Sequence, residues 1–187
     1  MSTKIEFKAF PKIARLNRSI TITEKIDGTN AAIGIIPDTD GALTVYAQSR
    51  NRLITPQDDN YGFARWVESN RDRLVDLLGP GLHFGEWWGS GIQRGYGLTG
   101  GEKRFYLFNT DRHKDIDEAD IRPVPVLFRG ANSSENIDAT LDALALYGSV
   151  AAPGFMDPEG VVVFYAASRT MFKVTIKNDS QPKSAVA

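Results

Sequence analysis

Apolar and polar positions alternate with the two-residue period of a strand from Ser19 to Asp27. Ile20, Ile22, Glu24 and Ile26 fall on one face, and Thr21, Thr23, Lys25 and Asp27 on the other. The runs 31–36 and 43–49 predict two further strands, joined as a hairpin by the turn-forming Asp38-Thr39-Asp40-Gly41. Over 63–78 the period changes. Phe63, Trp66, Val67, Leu74, Leu77 and Leu78 recur at helical spacing until Gly79-Pro80-Gly81 stops the run. Strands are predicted at 82–87, 104–109, 123–128, 160–166 and 171–177, and a second helix at 135–147. Ser134 is the candidate N-cap of that helix, with Ile137, Leu141 and Leu144 as its buried stripe. The pattern predicts an α+β domain over 1–177, of mainly antiparallel sheets flanked by helices. The polar stretch 178–187 is expected as a short flexible tail.

Composition narrows the chemistry. The chain has 187 residues, 42% hydrophobic, enough for one domain with a sizeable core. It has no cysteine, which excludes a disulfide framework, a thiolate nucleophile and a Cys-ligated zinc. No apolar run reaches the roughly 18 residues of a membrane span, and Lys4, Lys8, Lys12 and Arg15 interrupt any signal-peptide core. A soluble, cytoplasmic protein without a membrane partner is expected. The near balance of 22 basic and 23 acidic residues argues against a basic coat for nucleic acid and leaves room for a local basic pocket.

Four segments carry candidate chemistry. In Glu24-Lys25-Ile26-Asp27-Gly28-Thr29-Asn30 the alternation puts Lys25 and Asp27 on one face, beside a glycine that permits close approach. A lysine attacks only after losing its proton, ordinarily at about pH 10.4, and nearby cations or desolvation favour that loss. The same residues also fit a solvated lysine before an Asp-Gly turn. In Phe84-Gly85-Glu86-Trp87-Trp88-Gly89-Ser90-Gly91-Ile92-Gln93, a carboxylate among aromatics and glycines needs a partner. A ribose hydroxyl or a metal-bound water would serve, as would an edge strand turning Glu86 to solvent. Glu159 opens the β-branched run 160–164, at a site or in a surface turn. Lys173, Thr175 and Lys177 share a strand face that holds phosphate oxygens or is simply exposed.

Taken together and in this order, the segments resemble nucleotidyltransferase motifs I, III, IV and V of the covalent lysyl-AMP ligases, which are related to capping enzymes. The nearest resemblance is to the RNA ligase 2-type family, over roughly residues 20 to 177. It implies an ATP-grasp-like two-sheet core with Lys25 as the nucleophile that takes AMP, flanked by Glu24 and Ile26 in the nucleotide site. Asn30 matches an RNA-ligase feature of motif I. Ser49-Arg50-Asn51 looks like motif Ia, with Arg50 holding nucleotide and nucleic-acid phosphate and Arg52 as a second candidate. Glu86 would bind the ribose, and the Trp-Gly-Ser-Gly-Ile-Gln-Arg run ending at Arg94 looks like the glycine-rich segment that follows motif III. Phe108, in a segment like motif IIIa, would stack on adenine, with Phe105 read as a core residue. There the family has Asp where this chain has Asn109. Glu159 would organise the metal. Lys173 would contact the AMP phosphate and share catalysis with Lys25, whereas the second motif V lysine is replaced by Thr175, leaving Lys177 as a displaced counterpart.

The resemblance further implies ATP and Mg2+ as cofactors, with Mn2+ as a substitute, and RNA ends bearing a 5′-phosphate and a 3′-hydroxyl as partners, including nicked duplex. The ten residues after Lys177 are too few for the OB or helical C-terminal domain of typical relatives. A stand-alone adenylylating domain is therefore expected, with a partner protein supplying nucleic-acid binding and a phage-encoded origin within range. Two other readings stay open. One is a minimal DNA ligase or capping-type guanylyltransferase; the other is a non-catalytic nucleotide- or end-binding module.

Overall fold

The computed structural model describes residues 6–177, so the tail expected at 178–187 lies outside the described residues. Ten strands run in chain order: β1 Ser19–Lys25, β2 Thr29–Pro37, β3 Leu43–Ser49, β4 Leu53–Ile54, β5 Gly81–Gly89, β6 Lys103–Leu107, β7 Ile121–Pro123, β8 Val126–Ala131, β9 Gly160–Tyr165 and β10 Thr170–Thr175. The helices are α1 Phe63–Ser69, α2 Arg71–Leu78 and α3 Ser134–Tyr147. The strands form a four-stranded sheet of order β10-β9-β1-β8 and a six-stranded sheet of order β4-β3-β2-β5-β6-β7. Every pairing is antiparallel except β6 with β7. This is the α+β, mainly antiparallel two-sheet arrangement expected from the sequence. Among the described residues no helix is long and apolar enough to cross a membrane.

Three elements depart from the sequence pattern. The helix predicted over 63–78 is two helices, because Asn70 folds its side-chain amide back onto the Trp66 carbonyl at 2.8 Å. Its backbone N–H also donates to Trp66 O at 3.1 Å, which closes α1 before α2 begins. The cap of α3 is Ser133 rather than Ser134: its Oγ accepts from the Asn136 N–H at 3.2 Å. The strand predicted over 123–128 is divided, since Pro123 ends β7 in the large sheet and Val126 begins β8 in the small one. Pro125, which has no N–H for a ladder, carries the chain across.

Burial follows the strand period. One face of the large sheet, with Ala31, Ile33, Ile35, Trp87, Phe105 and Leu107, packs under α1 and α2. One face of the small sheet, with Ile20, Ile22, Val161 and Val163, packs under α3, where Leu144 is buried and Ile137 and Leu141 are partly buried. A third cluster joins Trp88 and Tyr106 of the large sheet to Ile26, Tyr96, Val124, Ala151 and Ala152 in the connecting segments. That junction lies directly beneath the end of β1. The faces without a helix carry most of the polar and charged positions singled out above.

Candidate active site

β1 ends at Lys25 because Ile26 is drawn into the junction cluster and Gly28 turns the chain beneath β5. A Cβ on Gly28 would lie 2.5 Å from the Trp87 carbonyl oxygen and 2.8 Å from Trp88 Cβ, so only glycine fits. Its N–H donates to Glu86 Oε1 at 3.1 Å, which fastens the turn to β5. Strand register sets the other side. Lys25 pairs with Gly160, and Gly160 with Thr175. At Gly160, φ is 153° and a Cβ would meet the Val174 carbonyl oxygen at 2.2 Å, so β9 and β10 approach closely only with glycine there.

Lys25 Nζ donates to Glu159 Oε2, forming an ion pair in which Lys25 is partly exposed and Glu159 is buried. Glu86 reaches the same place from the large sheet. Burial pushes its pKa up to about 7, against the lowering effects of Lys25 and the Gly28 N–H, while Glu159 and Asp27 raise it further. Two carboxylates from different sheets thus converge on one amine. Such a crowding of like charges around a partly exposed lysine marks a candidate reactive site.

The remaining predicted residues distribute around this centre. Asn30 is the direct cross-strand partner of Glu86. Arg50 is exposed one position past the rung joining Ala31 to Ser49. Arg52 is engaged elsewhere: its guanidinium donates to Asp58 Oδ2 at 2.6 Å and closes its own loop. Phe108 leaves β6 and is 38% exposed, whereas Phe105 is 0% exposed in the core under α1. Asn109 caps the turn that follows, its Oδ1 accepting from the Arg112 N–H at 3.1 Å. Lys173 is exposed on the rung with Val162 and Thr23, next but one to that of Lys25. Thr175, not a lysine, stands in line with Lys25, and Lys177 instead donates to Asp157 Oδ1 at 2.7 Å.

Glu24 points away from the amine, as the alternation requires. Its carboxylate accepts from Ser149 Oγ at 2.5 Å and from the Val150 and Ala151 N–H groups, both at 2.9 Å. Burial raises its pKa in spite of these bonds. Its side chain therefore anchors β1 to the loop after α3. Sequence reasoning gave no role to Arg94 and Tyr96, in the loop after β5. Arg94 donates to Asp27 Oδ2 at 3.1 Å and to Asp157 Oδ2 at 2.7 Å. The Tyr96 hydroxyl accepts from the Asp27 N–H at 2.9 Å. The one available signal was the placement of Arg94 just after the Gly-Ile-Gln run.

A family model for RNA ligase matches residues 18–175. The chain belongs to the RNA ligase family. Solved structures of the Naegleria gruberi RNA ligase share the fold. For this RNA ligase-family chain, an Arg-to-Ala variant of that protein with ATP and Mn gives a TM-score of 0.61 at 19% identity, covering 87% of this chain and 51% of that one. A Lys-to-Met variant with AMP and Mn gives 0.60 at 19% identity, covering 86% and 50%. The same ligase with PPi gives 0.57 at 20% identity, covering 84% and 49%. The chain spans about half the length of these relatives. Among curated proteins no sequence match was found.

Among the described residues no group of three or more His, Asp or Glu is arranged to hold a metal by itself. Glu159, the carboxylate paired with the amine, is instead the kind of donor that suits Mg2+, which binds through one or two carboxylates plus substrate phosphates and water.

Proposed function

We propose that this RNA ligase-family chain is an ATP-dependent RNA ligase that works through a covalent Lys25–AMP intermediate. The observation that carries the reading is the Lys25 amine paired with the buried Glu159 just before β9, with the charge of Glu86 from the large sheet acting on it. Lys25 gives up a proton to solvent, and Nζ attacks the α-phosphorus of ATP. A P–N bond forms as the P–O bond to pyrophosphate breaks. Glu86 accepts a hydrogen bond from a ribose hydroxyl, and Phe108 stacks on the adenine, with the main chain at Glu24 and Ile26 beside it. Lys173 neutralises charge on the α-phosphate as it develops, with Arg50 and Lys177 contributing at the mouth. Glu159 is the residue that would hold Mg2+ or Mn2+, which supplies charge neutralisation at the phosphates when bound.

A 5′-phosphate oxygen of an RNA end then attacks the AMP phosphorus, a P–O bond replaces the P–N bond, and the Lys25 amine is released. A 3′-hydroxyl attacks the activated 5′-phosphorus and expels AMP, sealing the strand. Nicked duplex RNA, with or without a partner protein supplying nucleic-acid contacts, is the substrate class to test. The deciding measurement is intact mass after incubation with ATP and Mg2+. One AMP should be added to the wild type and none to Lys25→Ala, and GTP should add nothing. An unmodified wild type, or a modified Lys25→Ala, overturns the reading.

A further inference from the structure

The two partners of the central ion pair meet where β1 pairs with β9, and the Arg94 side chain, outside both strands, joins the segments that flank them. Arg94 lies in the loop between β5 and β6, with its side chain 27% exposed. Its Nε donates to Asp27 Oδ2 at 3.1 Å, two residues beyond Lys25. Its Nη1 donates to the Asp157 carbonyl oxygen at 2.8 Å and to Asp157 Oδ2 at 2.7 Å, two residues before Glu159. The other Asp157 oxygen accepts from Lys177. Guanidinium suits this position because its planar fork reaches two partners at once, which a lysine ammonium does not reproduce.

The loop holds Arg94 firmly. Gln93 and Tyr96 both adopt left-handed backbone, with φ of 44° and 49°, a conformation that persists only where its surroundings impose it. Here Ile92 is 0% and Tyr96 2% exposed. The Tyr96 ring packs on Phe155 at 4.5 Å and on Trp88 at 5.4 Å. Its hydroxyl accepts from the Asp27 N–H at 2.9 Å and donates to the Lys25 carbonyl at 3.5 Å. The loop therefore grips the chain on the C-terminal side of Lys25 at main chain and side chain alike. It grips the approach to Glu159 through Asp157.

We infer that Arg94 is a positioning residue that ties the Lys25–Asp27 turn to the Asp157–Glu159 segment beyond the end of the β1–β9 ladder, and so refines how Lys25 meets Glu159. Its assignment to the adenylylation step rests on the function proposed above; its control of Lys25 does not. With Arg94 truncated, the β1–β9 pairing remains but the turn after Lys25 and the segment before Glu159 lose this link, the approach of Lys25 to Glu159 loosens, and its amine becomes more available to a small acylating reagent.

Acylation of the full chain by limiting acetic anhydride at one pH, without nucleotide, reads this directly when each lysine is followed by mass spectrometry. Arg94→Ala and Arg94→Lys should both raise Lys25 acylation several-fold while leaving the exposed Lys173 unchanged. Asp157→Asn should act in the same direction and add little to Arg94→Ala, because both remove one link. With ATP and Mg2+, single-turnover labelling of Lys25 should slow by about 10²-fold, the cost of a small misplacement of reacting groups, at unchanged ATP affinity. Unchanged Lys25 acylation in both Arg94 variants overturns the inference, as does a loss of ATP affinity that accounts for the whole rate effect. Altered acylation in a protein whose wild type takes no AMP upholds the role of Arg94 and sinks the ligase reading alone.

Discussion

Lys25 at the end of β1 donates to Glu159 at the entrance to β9, although the two lie 134 positions apart in the chain. Glu159 is only 4% exposed, so its charge depends on neighbours rather than on water. Removing the ammonium alone deprives this buried carboxylate of its ion-pair partner. Lys25→Met is expected to destabilise the fold by about 1–3 kcal/mol. Lys25→Met with Glu159→Gln should recover part of that loss, because a neutral amide is less costly to bury. Urea unfolding of the two single variants and the double variant gives the coupling; strictly additive effects would show that the pair contributes nothing.

Glu86 carries the opposite kind of charge effect. Its pKa is pushed from 4.5 to about 7, chiefly by burial, so the folded state resists its ionisation. Below about pH 4.5 the group is protonated in both states and contributes nothing. As pH rises to about 7 the unfolded chain ionises freely and the folded one does not, so stability is lost across that window. Glu86→Gln retains an acceptor for the Gly28 N–H and removes the titration. The variant should be more stable than wild type at pH 8, should match it near pH 4, and should bind ATP more weakly. A melting-temperature difference that stays flat with pH would refute the assignment.

How much of this was legible in the chain differs from residue to residue. Strand alternation over 19–25 separated Lys25 from Glu24 correctly, because a period of two leaves no freedom once one face is buried. The same rule placed Lys173 and Thr175 on the Lys25 face. It could not show that Lys177, past the end of β10, turns to Asp157, since that depends on a loop from elsewhere. The break at Asn70 was hidden because both helices bury the same apolar stripe. Arg94 and Tyr96 were hidden for a different reason: a glycine-rich loop in which Gln93 and Tyr96 are left-handed has no periodicity to read.

Phe105 and Phe108 separate packing from binding. Phe105 is fully buried and packs on Phe63 at 4.9 Å, so Phe105→Ala should cost about 3–5 kcal/mol of stability. Phe108, 38% exposed at the end of β6, has little core to lose. Phe108→Ala should leave unfolding nearly unchanged and weaken ATP binding by about 1–3 kcal/mol, the worth of stacking on a base. Titration calorimetry with ATP checks this, and an unaltered affinity would move the stacking role to another side chain, such as the 45% exposed Phe84.

A second titrating pair lies behind the Phe108 turn. His83 Nδ1 and His113 Nε2 are 3.4 Å apart and both rings are buried. Burial, with His83 and then Arg112 nearby, lowers the His113 pKa from 6.5 to about 4. The folded protein therefore keeps this ring neutral where the unfolded chain would protonate it. The stability it contributes is complete above about pH 6.5 and is lost as pH falls toward 4. That slope is opposite in sign to the Glu86 effect over much of the same window, so the wild-type profile mixes the two. His113→Gln removes only the imidazole titration. Its stability relative to wild type should rise as pH falls from about 6.5 to 4, and denaturant midpoints at pH 7, 5.5 and 4 measure this. A difference that does not change with pH would mean that His113 titrates normally and that the buried pair is not an acid-sensitive point of the fold.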